Sequence, residues 1–481
     1  MISVYNTLTR SKEPLRPIVE GQVSIYVCGV TPYDHAHIGH ARPAVVWDAI
    51  KRHLRRRGYV VRHVQNFTDI DDKLIRRAAE TGESVEAVAA RYMAEYQEAM
   101  AALGVIPPDF MPRVTDNLSA IIDFVGQLVA RDFAYARDGD VYFRVGRMAD
   151  YGKLSGRDRE ELRAGARVEP QENKEDPQDF ALWKRASADE PGWESPWGRG
   201  RPGWHIECSV MSSRYLGPRF DLHGGGIDLV FPHHENEIAQ SEAYYGHPSV
   251  NVWVHNGLVT LSSVKMSKSL GNGVELLDLL RHYQATALRT YLLSVHYRTP
   301  IEFSFEALQD WQTGLGRLQA MWQEVQALGP SSALVGGEWL EDLWGFERRF
   351  LAALDDDFNT ARAFAECFEL VREARRVRAQ GGQAAAVAGY LTKVGLAAAN
   401  EILGFLAPQP GPAADFGSER QEVPTWVSML LAVRQQARQA GQYEWADRVR
   451  EALREAGWGI EDGRTESRAI PLRPSRPTQE A

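Results

Sequence analysis

The chain has 481 residues, 44% of them hydrophobic and 25% charged, which is enough for about three domains with their own cores. Its formal charge of −9 excludes a uniformly basic surface, so any RNA contact must use local basic patches. The three widely spaced cysteines exclude a disulfide framework, and no apolar run has the length of a membrane span or a secretion signal. We therefore expect a cytoplasmic protein without a membrane partner.

Short apolar runs alternate with amphipathic helical patterns early in the chain, and helices dominate from residue 274 to about residue 406. Buried strands are predicted over 23–30, 60–67, 220–222 and 250–254. Helices are predicted over 84–103 and 233–245. The alternation favours an α/β fold with a Rossmann-type parallel sheet that an insertion interrupts. Ligands of such sheets bind at the carboxyl ends of the strands. The polar residues that fall there are Cys28, His37, His40, Thr68, His223 and His255.

Two short motifs predict a cationic clamp for a triphosphate. The first, H-I-G-H at 37–40, follows a strand and opens a helix predicted over 41–57. Its imidazoles then sit at a helix N-terminus, where unpaired N–H groups and the helix dipole favour phosphate. The second, K-M-S-K-S at 265–269, lies in a polar, glycine-flanked stretch typical of a loop, and Lys265 and Lys268 supply two ammonium groups.

A second set of side chains predicts a metal site beside these motifs. Cys28 precedes the H-I-G-H helix, Cys208 lies in G-W-H-I-E-C, and His233 and Glu237 are four residues apart on one helix face. Two thiolates, an imidazole and a carboxylate form a plausible zinc set. Taken alone, a cysteine is commonly a small buried hydrophobic residue, and a His four residues before a Glu is commonly a surface pair. Their coincidence favours the metal, whereas Cys367 is predicted to pack in a core.

The two motifs are the signatures of class I aminoacyl-tRNA synthetases, and the chain as a whole resembles the cysteinyl-tRNA synthetase family. Further matching segments are Y-N-T-L-T at 5–9, N-F-T-D-I-D-D-K at 66–73, P-G-W-H-I-E-C-S at 202–209 and H-G-G-G-I-D-L at 223–229. The resemblance implies activation of L-cysteine with ATP, accompanied by Mg²⁺, and transfer of the cysteinyl group to the 3′ end of cysteine tRNA. It also implies one zinc ion per chain, held by Cys28, Cys208, His233 and Glu237, with His234 as the substitute.

The resemblance assigns roles to further residues. The catalytic residues would be His37, His40, Lys265 and Lys268. ATP would be bound by His37, His40, Gly226, Asp228, His255 and Lys268. The substrate cysteine would contact Gly29, Thr68, Trp204 and His223. No general base for the transfer step is evident.

Zinc would solve a selectivity problem. A pocket sized for cysteine rejects serine poorly, because small differences between side chains discriminate by roughly 10 to 200-fold. A thiol coordinates zinc as a thiolate, whereas a hydroxyl is a harder and more basic ligand. Selection at binding then needs no editing domain, and the insertion at about 111–200 is short for one.

The resemblance also divides the chain, which we expect to be a monomer, into a catalytic domain, a helical bundle and a small C-terminal anticodon-binding domain. The predicted segments are a Rossmann-type catalytic domain (1–110 and 201–260), a connective insertion (111–200), a signature-loop and stem-contact region (261–310), the bundle (311–406), a Pro- and Gly-rich linker (407–419), the anticodon-binding domain (420–463) and a disordered tail (464–481). The anticodon would contact Arg438, Asp447, Arg450 and Asp462, since cations, acceptors and nearby aromatic rings suit unstacked bases.

Two other functions fit parts of the sequence. One is the ligase that joins cysteine to an amino-sugar inositol in mycothiol synthesis, which resembles the catalytic half; the segment after Glu419 argues against it. The other is an RNA-binding protein with a structural zinc and no catalysis. The intact H-I-G-H and K-M-S-K-S motifs argue against that function.

Overall fold

The computed structural model describes residues 1–157, 174–261, 264–265, 274–329, 339–406, 423, 425–455, 457–463 and 467–472. The strands are β1 (Ser3–Asn6), β2 (Ser11–Pro14), β3 (Gln22–Val30), β4 (Val60–Phe67), β5 (Ala134–Arg137), β6 (Asp140–Phe143), β7 (Phe180–Arg185), β8 (Gly200–Pro202), β9 (Phe220–Gly226), β10 (Val250–Asn256), β11 (Val259–Leu261), β12 (Val264–Lys265), β13 (Ile301–Glu302), β14 (Trp458–Asp462) and β15 (Ser467–Pro471). The helices are α1 (Ile38–Arg56), α2 (Asp72–Thr81), α3 (Val85–Ala102), α4 (Leu118–Ala130), α5 (Trp204–Leu216), α6 (Glu235–Tyr245), α7 (Leu276–His282), α8 (Ala285–Leu292), α9 (Phe305–Val325), α10 (Trp339–Asp355), α11 (Thr360–Arg378), α12 (Gly382–Leu403), α13 (Thr425–Gln439) and α14 (Tyr443–Glu455). Within these ranges, every helix is too short or too polar to cross a membrane.

The first part of the chain folds around a four-stranded sheet in the order β10-β9-β3-β4. All neighbouring strands in this sheet are parallel. Helix α1 connects β3 to β4, and its Val45 and Trp47 are buried in the hydrophobic core on that side of the sheet. The predicted α/β fold with a parallel sheet is therefore confirmed, and β4 has the predicted bounds.

Two glycines allow close backbone approaches near the carboxyl edge of this sheet. A Cβ on Gly29 would lie 1.5 Å from the Asn66 carbonyl oxygen on β4, and one on Gly224 would lie 1.8 Å from the Trp47 indole. Gly224 pairs with Val27 of β3 and Val254 of β10, and β9 runs to Gly226, beyond the predicted end at residue 222. Glycine usually weakens a strand interior, and here it marks a close approach of another element.

The chain between β4 and β9 includes the segment 111–200, whose assignment as an insertion stays a prediction. Its second sheet, in the order β5-β6-β7-β8, is antiparallel throughout. Helix α4 covers part of the same core, and its Phe124 stacks on Tyr244 of α6 with 3.9 Å between ring centroids. The insertion thus shares a hydrophobic core with the helices that flank the parallel sheet.

Helix α1 also joins the sheet to the helices that follow it. Asp48 is buried and accepts hydrogen bonds from Arg52 at 2.8 Å and from Arg289 of α8 at 2.5 Å. The same Arg289 guanidinium donates to the carbonyl oxygens of Leu403, at the end of α12, and of Leu103, after α3. Buried polar groups of this kind fix one packing arrangement, because each partner left alone would carry a large desolvation cost.

The C-terminal helices α13 and α14 share a core with α12. Trp426 of α13 is fully buried beside Val387 and Leu391, and the Arg56 guanidinium from α1 lies 3.5 Å from its ring centroid. This part of the chain therefore packs against the preceding helices. The predicted linker at 407–419 lies outside the described residues.

The prediction of a disordered tail from residue 464 is wrong for Ser467–Pro471. This segment forms β15, which pairs antiparallel with β14, and Ile460 lies opposite Ala469. The prolines and arginines of the tail favoured disorder by composition. The buried Ala469 and the hydrogen bonds of the strand pair outweigh that tendency. Residues 464–466 and 473–481 lie outside the described ranges.

Candidate active site

The H-I-G-H motif begins helix α1 and caps it. The His37 Nδ1 accepts a hydrogen bond from the Gly39 N–H at 3.1 Å, and the His40 Nδ1 accepts one from the His37 N–H at 3.2 Å. The two rings stack with centroids 3.8 Å apart. Because each Nδ1 accepts, the proton of each neutral ring lies on Nε2, which is then a donor. The first turn of α1 has no acidic side chain, so the positive end of its dipole is not neutralised there.

Backbone hydrogen bonds place the end of the K-M-S-K-S loop region beside this cap. The segment enters from β12, which pairs with β11. On its far side, the Ile38 N–H donates to the Val274 oxygen at 3.1 Å, and the Leu276 N–H donates to the Ala36 oxygen at 2.8 Å. Lys268 and the side chain of Lys265 lie outside the described residues. Their roles stay predictions.

The predicted metal donors come together below the carboxyl edge of the sheet. Donor atoms of Cys28, His233, His234 and Glu237 all lie within 4.8 Å of one another. The Cys208 Sγ is 3.7 Å from the Cys28 Sγ. The Glu237 Oε1 is 3.1 Å from the His233 Nε2 and 3.5 Å from the Cys28 Sγ. The structure thus places Cys28, His233 and Glu237 together with His234, the predicted substitute, and places Cys208 next to Cys28.

Four elements position these donors. Cys28 lies where β3 shifts register against β4, between Val27 and Val30, and such irregularities re-aim side chains. Cys208 lies on α5. His233 lies in a single π-helical turn that ends at His234, before α6, and Glu237 lies in the first turn of α6, where the helix dipole favours an anion. The predicted helix from residue 233 begins instead at residue 235.

The spacing and chemistry of this set fit zinc. Tetrahedral zinc with bonds of about 2.3 Å to sulfur would hold two thiolates about 3.8 Å apart. The observed separation is 3.7 Å. The hydrogen bond from Cys28 lowers the pKa of the Cys208 thiol to about 6 against the effect of burial. Burial and the Cys208 sulfur raise the pKa of the Cys28 thiol. Both sulfurs are therefore ionised together only beside a cation.

Glu237 is held as a carboxylate by two imidazoles. Its Oε2 is 2.8 Å from the His223 Nε2. Burial alone would raise the pKa of Glu237, but His223 and His233 lower it to about 2. An ionised carboxylate is the form that binds a metal.

The four residues predicted to contact the substrate cysteine surround this cluster. The Gly29 N–H donates to Asn66 Oδ1 at 2.9 Å, and the Thr68 hydroxyl donates to Glu207 Oε2 at 2.9 Å. Trp204 is 43% exposed, and its ring centroid is 4.4 Å from that of His233. His223 instead is buried behind Glu237. Contact of all four with a substrate stays a prediction.

The predicted ATP residues beyond the two signature motifs divide into two groups. Gly226 ends β9, and a Cβ there would lie 2.4 Å from the carboxylate of Asp228, which is exposed in the following turn. His255 on β10 is buried, with Nδ1 2.7 Å from the Thr7 hydroxyl and Nε2 2.7 Å from the His234 Nδ1. Both ring nitrogens of His255 thus have partners within the protein, Thr7 on one side and His234 on the other. Its contact with ATP stays a prediction.

Sequence reasoning missed three residues of the site. Thr7 contacts His255, Glu207 accepts from Thr68, and the His205 Nδ1 lies 3.0 Å from the His233 Nδ1. Thr7 belongs to the Y-N-T-L-T segment, and His205 and Glu207 flank Cys208 in G-W-H-I-E-C. The sequence did carry one signal for them: all three are polar residues inside segments that match the family.

The predicted anticodon residues form one ionic cluster on the C-terminal elements. Asp462 lies 3.1 Å from Arg438 and 3.6 Å from Arg450, which is 3.0 Å from Asp447. The missed member is Arg434, which is buried and binds both Asp462 oxygens, at 2.5 and 2.7 Å. Hydrogen bonds from Arg434 and Ser467 hold the pKa of the Asp462 carboxyl well below its usual range.

Comparisons with known proteins agree with this geometry. Residues 14–313 match the family model for the tRNA synthetases class I (C) catalytic domain, and residues 349–407 match the DALR domain. The Cysteine--tRNA ligase of Alkalilimnicola ehrlichii is 49% identical over 96% of this chain and 98% of its own length. The Cysteine--tRNA ligase of Thermococcus onnurineus is 45% identical over 96% and 97%.

Among solved structures, the methionyl-tRNA synthetase of Mycobacterium tuberculosis bound by methionyl-adenylate has a TM-score of 0.62 at 17% identity. The match covers 79% of this chain and 92% of that protein, which shows the shared fold. The family model spans more than half of the chain, and the curated relatives match nearly its full length. The chain therefore belongs to the cysteine--tRNA ligase family and is a class I aminoacyl-tRNA ligase.

Proposed function

We propose that the protein activates L-cysteine with ATP to cysteinyl adenylate and transfers the cysteinyl group to the 3′ end of cysteine tRNA. The observation that carries the proposal is the convergence of Cys28, Cys208, His233 and Glu237 at the edge of the sheet from which the capped H-I-G-H helix begins. Donors selective for a thiol and a cap suited to phosphate meet in one site. That combination suits attack of a cysteine carboxylate on ATP.

In the activation step, the carboxylate attacks the α-phosphorus and pyrophosphate leaves. The Nε2–H groups of His37 and His40 and the N-terminus of α1 stabilise the charge that develops on the phosphate oxygens. Lys265 and Lys268 act on the leaving pyrophosphate, and Mg²⁺ accompanies the ATP. The hydrogen bonds at Val274 and Leu276 support this role, because they hold the end of the loop region at the cap. Gly226 and Asp228 lie beyond β9, where the adenosine would bind.

Cys28, Cys208, His233 and Glu237 would hold one zinc ion. When bound, zinc supplies a Lewis acid that prefers a thiolate to a hydroxyl, which accounts for selection of cysteine over serine. Thr68 and Gly29 lie beside the set and position the substrate amino group and backbone. Trp204 covers the outer side, where its partial exposure gives it room to move against a bound side chain.

The C-terminal cluster would contact the anticodon. Arg438, Asp447 and Arg450 are partly exposed and provide donors and acceptors for base edges. Asp462 and the buried Arg434 fix the orientation of the two arginines. The domain assignment from the sequence, with a catalytic domain, an insertion, a stem-contact region and an anticodon-binding domain, remains part of this proposal. Monomeric action and a location in the cytoplasm are also part of this proposal.

Cysteine-dependent exchange of pyrophosphate into ATP tests the activation step. Glu237→Gln should lower the exchange rate and the zinc content together, because the amide is a weaker ligand and carries no charge. Glu242→Gln on the same helix is the matched control, since Glu242 pairs with Lys153 away from the donors. Normal exchange by zinc-free Glu237→Gln that still rejects serine would refute the metal's role. Transfer to an amino sugar instead of tRNA would point to the mycothiol-type ligase.

A further inference from the structure

A chain of hydrogen bonds runs from the N-terminal strand to a metal-donor sulfur. The Thr7 hydroxyl lies 2.7 Å from the His255 Nδ1, the His255 Nε2 lies 2.7 Å from the His234 Nδ1, and the His234 Nε2 lies 3.2 Å from the Cys28 Sγ. Both histidines and Cys28 belong to the densest part of the site. Thr7 is the one member outside it.

The proton positions along this chain depend on each other. The facing nitrogens of His255 and His234 share one proton, because two lone pairs or two N–H groups at 2.7 Å would repel. If Thr7 donates to His255, then His255 donates to His234, and the His234 Nε2 carries a proton directed at sulfur. If Thr7 accepts, every proton reverses, and the His234 Nε2 presents a lone pair, as a metal ligand does.

We propose that the Thr7 hydroxyl is a positioning group that donates to His255, so that the His234 Nε2–H donates a hydrogen bond to the Cys28 sulfur and stays out of the metal's ligand set. The proposal rests on the zinc site of the proposed function. A thiolate sulfur accepts hydrogen bonds and cannot donate, so the donating direction matches the needs of Cys28. Such partners of metal ligands orient the ligand and tune the metal.

Hydrogen bonds between the N-terminal strand and β10 hold Thr7 in place. Asn6 is buried, and its side-chain oxygen accepts from the Trp253 N–H at 3.1 Å and from the Leu8 N–H at 3.1 Å. The Thr7 N–H donates to the Trp253 carbonyl oxygen at 2.9 Å. These bonds fix Thr7 against β10 two residues before His255. The hydroxyl is therefore held at the end of the histidine pair by contacts that do not involve the metal donors.

The test compares three variants of the full chain. Thr7→Val keeps the shape and removes the hydroxyl, Thr7→Ser keeps a hydroxyl, and Thr9→Val makes the same change at an exposed residue that bonds Glu13. The first readout is the ¹⁵N shifts of the histidine rings in zinc-loaded protein, which report which nitrogen is protonated. The second is zinc affinity by competition with a chelator.

We expect wild type, Thr7→Ser and Thr9→Val to show His255 and His234 protonated on Nε2. Thr7→Val should lose that pattern, and its zinc affinity should fall by about 10-fold, the lower end for changes around metal ligands. Wild-type protein with His255 protonated on Nδ1 would overturn the inference, even if Thr7→Val does not fold. So would Thr7→Val with unchanged shifts and affinity. If the wild-type protein binds no zinc, the proposed zinc site and this inference both fail. If the wild-type protein binds zinc but its histidines are not protonated on Nε2, only this inference fails.

Discussion

Removing one partner of the buried ion pair between Asp48 and Arg289 should strongly destabilise the chain. Asp48 is fully buried and Arg289 is 2% exposed, and the pair joins α1 to α8. Burial would raise the pKa of the Asp48 carboxyl, but Arg289 and Arg52 lower it below its usual value. Asp48→Asn keeps the shape and leaves the Arg289 charge without a carboxylate. Removing one partner of a buried pair costs about 3–5 kcal/mol.

Urea unfolding followed by tryptophan fluorescence and by circular dichroism measures this loss. With an m-value of about 3 kcal/mol/M, a loss of 3–5 kcal/mol lowers the midpoint by about 1–1.7 M, provided the two probes coincide. Glu444→Gln is the control, because Glu444 is exposed and its pair with Arg448 is worth about 0.3–0.5 kcal/mol. A midpoint for Asp48→Asn no lower than that of Glu444→Gln would refute the assignment.

Four more outcomes follow from the contacts of the site and the C-terminal elements. Gly29→Ala should slow cysteine activation and destabilise the fold by at least about 1–3 kcal/mol, measured by pyrophosphate exchange and urea unfolding, because its Cβ would overlap the Asn66 carbonyl. Removing metal with a chelator should lower the thermal midpoint in calorimetry, since the donors around Glu237 are then uncompensated; an unchanged midpoint would contradict this. Arg438→Ala should weaken binding of cysteine tRNA, measured by filter binding, and leave pyrophosphate exchange unchanged. Deleting residues from 424 onward should destabilise the rest of the chain as well, because Trp426 packs on α12.

The parallel sheet and the metal donors could be predicted because their signals are local or chemically rare. Strand β4 carries valines and a phenylalanine at Val60, Val61, Val64 and Phe67, and β3 leads toward the H-I-G-H turn. Cysteine is scarce in this chain, so two of three cysteines beside the motifs were informative. Neither inference needed to know which residues meet across the fold.

The features that the sequence did not reveal depend on partners that are distant in the chain. Residue 224 must be glycine because the Trp47 indole lies against it, and no local rule identifies that partner. His255 was assigned to ATP from its place at a strand end. In the structure, the Nδ1 side of its ring faces the hydroxyl of Thr7, which is about 250 residues away in the chain. Strand β15 forms because β14 is available, against the disorder that its composition favours.

The charges of the metal site explain why its ligands sit where they do. Two thiolates and a carboxylate in a buried site would repel each other strongly, and a divalent cation offsets most of that charge. Groups of the protein stabilise the remaining negative charge. The dipole of α6 acts on Glu237, and the His223 Nε2 lies 2.8 Å from the Glu237 Oε2. Under the proposed function, a substrate thiolate would add a further negative charge to this site, whereas the α1 N-terminus and the two signature histidines would act on the phosphate of ATP. Selection of the thiol and activation of the carboxylate would then both depend on how these charges are balanced.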